Sequence, residues 1–181
     1  MNCCGASVEK EPVQSKESAI CGACGVKAQK VGRITVEHIV KDEYRNQIAD
    51  TQYYFCHTPD CDVVYFSNET GQYFTRSDVR VRVGLKETED PIPICYCFDF
   101  TEAMIRDELI RKGRTVIPNL IAAEIKAGNC ACEVKNPSGR CCLGEVNKVA
   151  KRLMKEREAL AAKDAGACGA GLRKLGNSCD P

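Results

Sequence analysis

The 181-residue chain carries 26 Lys+Arg against 25 Asp+Glu, a formal charge of +1, so no excess positive charge exists to hold nucleic-acid phosphates, and a nucleic-acid partner is set aside. Its length suits one ordinary domain or two small ones and excludes a large multi-domain enzyme. Fourteen cysteines are the outlying feature.

The opening residues, "MNCCGASVEKEPVQSK", lack a basic start followed by an apolar run, and no apolar stretch approaches the roughly 18 residues of a membrane span. The expected setting is therefore cytoplasmic, without membrane insertion. Thiols stay reduced there, and clustered cysteines read as metal ligands rather than disulfides.

In chain order, residues 1–19 are polar and aperiodic and read as a flexible tail. Residues 20–90 read as a β-rich subdomain. Aromatic and β-branched runs at Tyr53 to Phe55, Val63 to Phe66 and Gln72 to Phe74 are separated by turns, the last of them "NETG". His38, in "ITVEHIV", reads as an ordinary partly buried residue. "KETEDPIP" at 86–93 reads as a linker. Residues 91–163 then turn helical. Asp99 and Thr101 are candidate N-caps for a helix carrying Met104, Ile105 and Leu109 and stopping at Gly113. Pro118 opens a second helix, with Ile121 and Ile125 four apart, that ends at Gly128. A third runs from about Cys142 through Val146, Val149, Leu153 and Leu160 to about Lys163. Residues 164–181 read as a flexible tail containing Cys and Gly.

Two cysteine constellations carry the chemistry. "CGAC" places Cys21 and Cys24 on one tight loop, and "CHTPDC" places Cys56 and Cys61 on another. Four thiolates suit tetrahedral Zn2+ and leave no open position for water, which makes a structural site that adds folding free energy to a small β module. His57 is the alternative to Cys56 as a ligand, and four unrelated core thiols are the bland alternative. "ICYCF" is different. Cys95 and Cys97 lie one residue apart before a helix, suited to holding one iron side by side, and a second pair must come from the dense stretch "CACEVKNPSGRCC". Four Cys thiolates are the usual ligand set of a [2Fe-2S] cluster. Helix starts near Thr101 and Cys142 would turn their unpaired N–H groups toward that anion.

The segments "YYFCHTPDCDVVYF", "RVGLKE", "PICYCF" and "KNPSGRCCLGE", in that order, resemble the N-terminal domain of the CopZ-type copper chaperones, which carry a zinc site and a [2Fe-2S] cluster. The later half separately resembles the bacterioferritin-associated ferredoxin-like [2Fe-2S] module. The resemblance covers roughly residues 18–155. It implies an α+β fold, with a small zinc-binding β-rich subdomain followed by a helical [2Fe-2S] ferredoxin-like module. It implies zinc at Cys21, Cys24, Cys56 and Cys61, and cluster ligands at Cys95, Cys97, Cys132 and Cys142. Counting from Cys97, the ferredoxin-like module favours Cys130, whereas Cys132 keeps its distance from the "NPSG" turn and is preferred. Cys142 enters the third helix, and Cys141 is expected to face away as a small buried hydrophobe.

A CopZ-type chaperone is expected to continue into a βαββαβ copper-binding domain with a Met-x-Cys-x-x-Cys loop. The eighteen residues of 164–181 are too few for that domain and lack its motif. Copper delivery by this chain alone is therefore not expected. Cys3, Cys4, Cys168 and Cys179 are weighed as Cu+ thiolates against unstructured thiols. The function expected is a non-enzymatic metallochaperone-like protein coupling a [2Fe-2S] centre to copper handling, by reduction or by transfer with a partner. That partner would be a copper-binding domain protein or a copper-transporting ATPase. The alternatives are a copper-independent electron-transfer or redox-sensing protein and, against the balanced charge, a zinc-ribbon interaction module. No hydrolase or transferase motif is present, and Glu102 and Glu145 read as helix-start charges.

Overall fold

A computed structural model describes residues 18–169, with side chains described through Lys163. Cys3, Cys4 and Cys179, and the side chain of Cys168, lie outside the described residues.

The first half is a five-stranded antiparallel meander in the order β1 (Ser18–Ile20), β2 (Lys27–Val31), β3 (Tyr53–Phe55), β4 (Val63–Ser67) and β5 (Gln72–Thr75). Each strand pairs with its neighbour in sequence, through short turns except between β2 and β3. All five residues of β4 are buried, since both faces of that strand are covered. Val64 and Tyr65 join a core with Val36, Ile39, Tyr53, Phe55 and Phe74, while Val63 and Phe66 join a smaller cluster around Cys21, Cys56 and Cys61.

The β2 to β3 connection differs from the expected β-rich reading. It holds helix α1 (Arg33–Ile39), whose Thr35, Val36 and Ile39 face inward. Three of its seven residues are β-branched at positions that face a core, so packing overrides their propensity. His38 is exposed rather than partly buried, and its ring Nδ1 lies 2.8 Å from the Ile34 carbonyl oxygen. The expected linker is also more structured than its charge suggests. A buried Lys86 ends a 3-10 turn at Gly84–Lys86, and Pro93 begins a further strand.

The second half pairs β6 (Pro93–Cys95) with β7 (Phe100–Thr101) and then becomes helical: α2 (Glu102–Lys112), α3 (Ile117–Lys126), α4 (Cys132–Lys135) and α5 (Leu143–Gly169). Thr101 caps α2 by accepting from the Met104 amide, and Gly113 ends it in the left-handed conformation. Met104, however, is exposed, and the inward face of α2 is Glu102, Ile105 and Leu109. These pack with Ile117, Ile121, Val146, Ala150 and Leu153 into a second core that also contains Cys95, Cys132 and Cys142. Helix α5 continues to Gly169, past the expected end near Lys163. No helix among the described residues is long and apolar enough to cross a membrane.

The halves are joined by the Asn136 to Gly139 turn. Thr35 Oγ1 donates to the Glu133 carbonyl at 2.7 Å, and Tyr65 Oη donates to the Pro137 carbonyl at 2.6 Å. Gly139 has φ +66°, and a Cβ there would lie 2.7 Å from Thr35 Oγ1, so the close approach to α1 requires glycine.

Candidate metal centres

The first thiol set lies at one end of the sheet. Cys21 directly follows β1 and Cys24 lies beyond it in the β1–β2 turn, which is closed by Cys21 N–H to the Val26 carbonyl at 3.0 Å and Gly25 N–H to the Cys21 carbonyl at 2.8 Å. Cys56 directly follows β3, bonded through its N–H to the Val64 carbonyl at 2.9 Å, and Cys61 precedes β4. Because β2 pairs with β3, the tips of the two hairpins meet. The four sulfurs all lie within 4.8 Å of one another, the only group of three or more such ligands that gathers so closely among the described residues. Cys24 and Cys56 sulfurs are 3.7 Å apart. Tetrahedral coordination with metal–sulfur bonds of about 2.3 Å requires sulfur separations of about 3.8 Å, so the donor set and its spacing fit one zinc ion. His57 is outside this group; its Nδ1 is buried without a hydrogen-bond partner.

The thiols of this set differ in acidity. The Thr58 hydroxyl, 3.3 Å from Cys24 Sγ, and the Val26 amide bring the Cys24 thiol down to about 6. Burial pushes Cys61 up to about 12 and also raises Cys21. Cys24 is thus the most readily ionised of the three thiols so shifted, and a bound cation favours the thiolate form of its neighbours. Beside it sits a residue that sequence reasoning missed. Lys86 is 3% exposed, and its Nζ donates to the carbonyls of Thr58 at 2.7 Å and Cys61 at 2.9 Å, both in the second loop. The charged run in which it sits reads as solvated, and only the tertiary fold reveals the burial.

The second set is organised as two pairs. Cys95 Sγ lies 3.1 Å from Cys142 Sγ, and Cys97 Sγ lies 3.5 Å from Cys132 Sγ. The sequence places Cys95 and Cys97 side by side on one iron; here Cys95 ends β6 and Cys97 lies in the turn that follows, and each makes its short sulfur contact with a partner on a different element. Cys132 opens α4, and the Ala131 amide donates to Cys97 Sγ at 3.2 Å. The Cys142 carbonyl accepts from the Val146 amide at 3.0 Å, which puts Cys142 at the start of α5. Of the two helix starts expected to face this set, that of α2 turns elsewhere. Its Glu102 amide bonds the Ile92 carbonyl and its Met104 amide bonds Thr101.

Cys130 is half-buried and Cys141 is exposed, not buried as expected. Neither makes one of the short sulfur contacts. Hydrogen bonding from Cys142 brings Cys95 down to about 6 and, conversely, raises Cys142, while burial pushes Cys132 up to about 12. The second set thus differs from the first in presenting two sulfur pairs rather than one gathered tetrad.

Glu145 is a helix-start charge, exposed and 2.6 Å from Lys148. Glu102 is more than that. It is buried and bridges Arg106 at 2.9 Å and Arg152 at 2.5 Å, which ties α2 to α5. A cavity of about 760 Å³ lies between the two halves, lined in part by His57, Tyr96, Glu102, Cys141 and Cys142.

Residues 18–80 match the CopZ-type zinc binding domain. The copper chaperone CopZ of Archaeoglobus fulgidus is 34% identical over 145 residues, covering 74% of this chain and 67% of that protein. The X-ray structure of the A. fulgidus CopZ N-terminal domain superposes with a TM-score of 0.61 at 31% identity, covering 72% of this chain and 97% of that one.

Proposed function

This chain belongs to the CopZ family of copper chaperones, and from that premise we propose that it is a metallochaperone-like protein in which a structural zinc supports a [2Fe-2S] centre coupled to copper handling. Zinc is held by Cys21, Cys24, Cys56 and Cys61, and the cluster by Cys95, Cys97, Cys132 and Cys142. The observation that carries this reading is the contrast in sulfur geometry, one set gathered within 4.8 Å and the other split into pairs at 3.1 and 3.5 Å.

When bound, the cluster supplies one electron at a time. The chain's own residues hold and bias it. Cys95 and Cys142, whose sulfurs are 3.1 Å apart, and Cys97 and Cys132, 3.5 Å apart, would supply the four thiolates that hold it. The Ala131 amide, bonded to Cys97 Sγ, stabilises negative charge on sulfur, as does the position of Cys142 at the start of α5. The exposed Cys141 beside Cys142 marks where this set approaches solvent. Copper is cargo rather than a resident ion. It would be reduced from Cu2+ to Cu+ at the cluster's expense or passed to a partner of the copper-binding domain or copper-transporting ATPase class.

The test is metal and acid-labile sulfide analysis, with visible and electron paramagnetic resonance spectra, on protein purified without oxygen. One zinc, two irons and two sulfides per chain, with a paramagnetic signal on reduction, is the expected result. Zinc without iron or sulfide after anaerobic reconstitution refutes the cluster.

A further inference from the structure

Between the two thiol sets runs a chain of short contacts that neither site needs for ligation. At one end, Lys86 buries its ammonium group under the second zinc loop, bonded to both the Thr58 and Cys61 carbonyls. The same loop is tied a second time. Arg76 donates to the Lys86 carbonyl at 3.0 Å through Nη1 and to Asp62, next to Cys61, at 3.0 Å through Nε. Lys86 closes the Gly84–Lys86 turn. At the other end of that turn, the Gly84 amide donates to Tyr96 Oη at 2.8 Å, and Tyr96 Oη donates to the Arg82 carbonyl at 3.0 Å. Tyr96 is the residue between Cys95 and Cys97. The turn also lies hard against β6. A Cβ at Gly84 would stand 1.9 Å from the Pro93 carbonyl oxygen, two residues before Cys95, so no other side chain fits this contact without backbone movement.

We propose that Lys86 and Tyr96 are positioning residues at the two ends of a strut, residues 82–86, that couples the zinc loop to the Cys95–Cys97 segment, so that a change at one thiol set alters the geometry or metal retention of the other. The proposal rests on the reading of both sets as metal centres. The physical reasons are specific. Four thiolates around a divalent ion leave a net negative charge, and the ammonium of Lys86 is a buried cation within hydrogen-bonding distance of that loop's own carbonyls. Loosening the loop frees Lys86, and the turn then loses the anchor that fixes the amide and carbonyl holding Tyr96. A phenol gripped as both donor and acceptor sets the direction of the backbone on either side of it, and therefore of the two sulfurs. Coupling of this kind is reciprocal by thermodynamic necessity.

The experiment uses the full-length, metal-loaded protein and two substitutions, Lys86→Met and Tyr96→Phe, separately and together. Zinc release to a chromophoric chelator and the visible circular dichroism of the cluster are recorded on the same samples, with far-ultraviolet dichroism as the folding control. Lys86→Met is expected to speed zinc release about tenfold and to change the cluster's dichroism at unchanged iron content. Tyr96→Phe, which removes one oxygen on the far side of the turn, is expected to speed zinc release roughly fivefold. The double variant should release zinc no faster than Lys86→Met alone, because both break one path. Cluster dichroism superposable on the wild type in Lys86→Met overturns the strut, since a purely local role at the zinc loop predicts that result. Multiplicative effects in the double variant overturn it as well. If Lys86→Met fails to fold, Tyr96→Phe decides alone, and unchanged zinc release sinks the proposal. A wild-type protein that binds no iron or sulfide overturns the two-centre reading and the strut together, whereas normal wild-type stoichiometry with uncoupled variants overturns the strut only.

Discussion

The two thiol sets use one residue type on two kinds of backbone, and the difference decides what each can hold. Cys21, Cys24, Cys56 and Cys61 all sit at the ends of paired strands, so the sheet's own hydrogen bonds bring four sulfurs within 4.8 Å. Cys95, Cys97, Cys132 and Cys142 come from a short strand, a four-residue helix and the start of α5, and meet only as pairs. The first geometry suits a single ion, and the second is the one proposed to hold a two-iron cluster. The lesson is that sulfur separation, more than cysteine count, distinguishes a mononuclear from a polynuclear site.

The comparison breaks most visibly at the first set. Cys61→Ser removes one of four donors from a module whose small cluster is built around the thiols, and structural zinc contributes roughly 10 kcal/mol of apparent binding free energy in small domains. Loss of zinc and of the β-sheet dichroism is the expected outcome, checked by metal analysis and far-ultraviolet spectra. At the second set the expected effect is loss of the cluster with the sheet retained. Cys142→Ser should abolish the visible spectrum, while Cys141→Ser leaves it nearly intact; the opposite result would exchange the roles of the two residues.

A third substitution separates packing in the helical core from zinc retention. Ile121 is fully buried in the helical core, and Ile121→Ala should cost about 2–5 kcal/mol in chemical denaturation without lowering zinc content. The smallest effect concerns pH. Lys112, the Val116 amide and the Thr115 hydroxyl hold Glu108 down at about 2. Because the folded value lies below the ordinary carboxylate range, this stabilisation is present above a pH of about 4.5 and is lost as the pH falls toward about 2. Glu108→Gln should therefore cost about 1 kcal/mol near neutral pH and nothing at the acid end, measured by denaturant titration at several pH values.

Much of this was legible along the chain because it is local. Tyr53–Phe55, Val63–Ser67 and Gln72–Thr75 form strands where aromatic and β-branched runs alternate with turn residues, and Thr101 and Gly113 bound α2 as their chemistry dictates. The pairs Cys21 with Cys24 and Cys56 with Cys61 are each contained in one loop, so their spacing is visible in the sequence. What was hidden depends on contacts across the fold. "RITVEHI" reads as β by propensity and becomes helical by packing against α4. Helix α4 has four residues, too few to show a period. The partner of Cys95 is 47 residues away, and no local rule selects Cys142 over Cys97. Lys86 lies in a run that looks solvated, and its burial follows from the position of a loop some 25 residues earlier.

The central claim is that the two sets hold different metals in different nuclearity, and X-ray absorption at the zinc and iron edges of one anaerobic sample tests it most directly. The account predicts zinc surrounded by four sulfurs at about 2.3 Å and iron surrounded by sulfur with a second iron as a near scatterer. Iron without a neighbouring iron, or zinc in both sets, would contradict it.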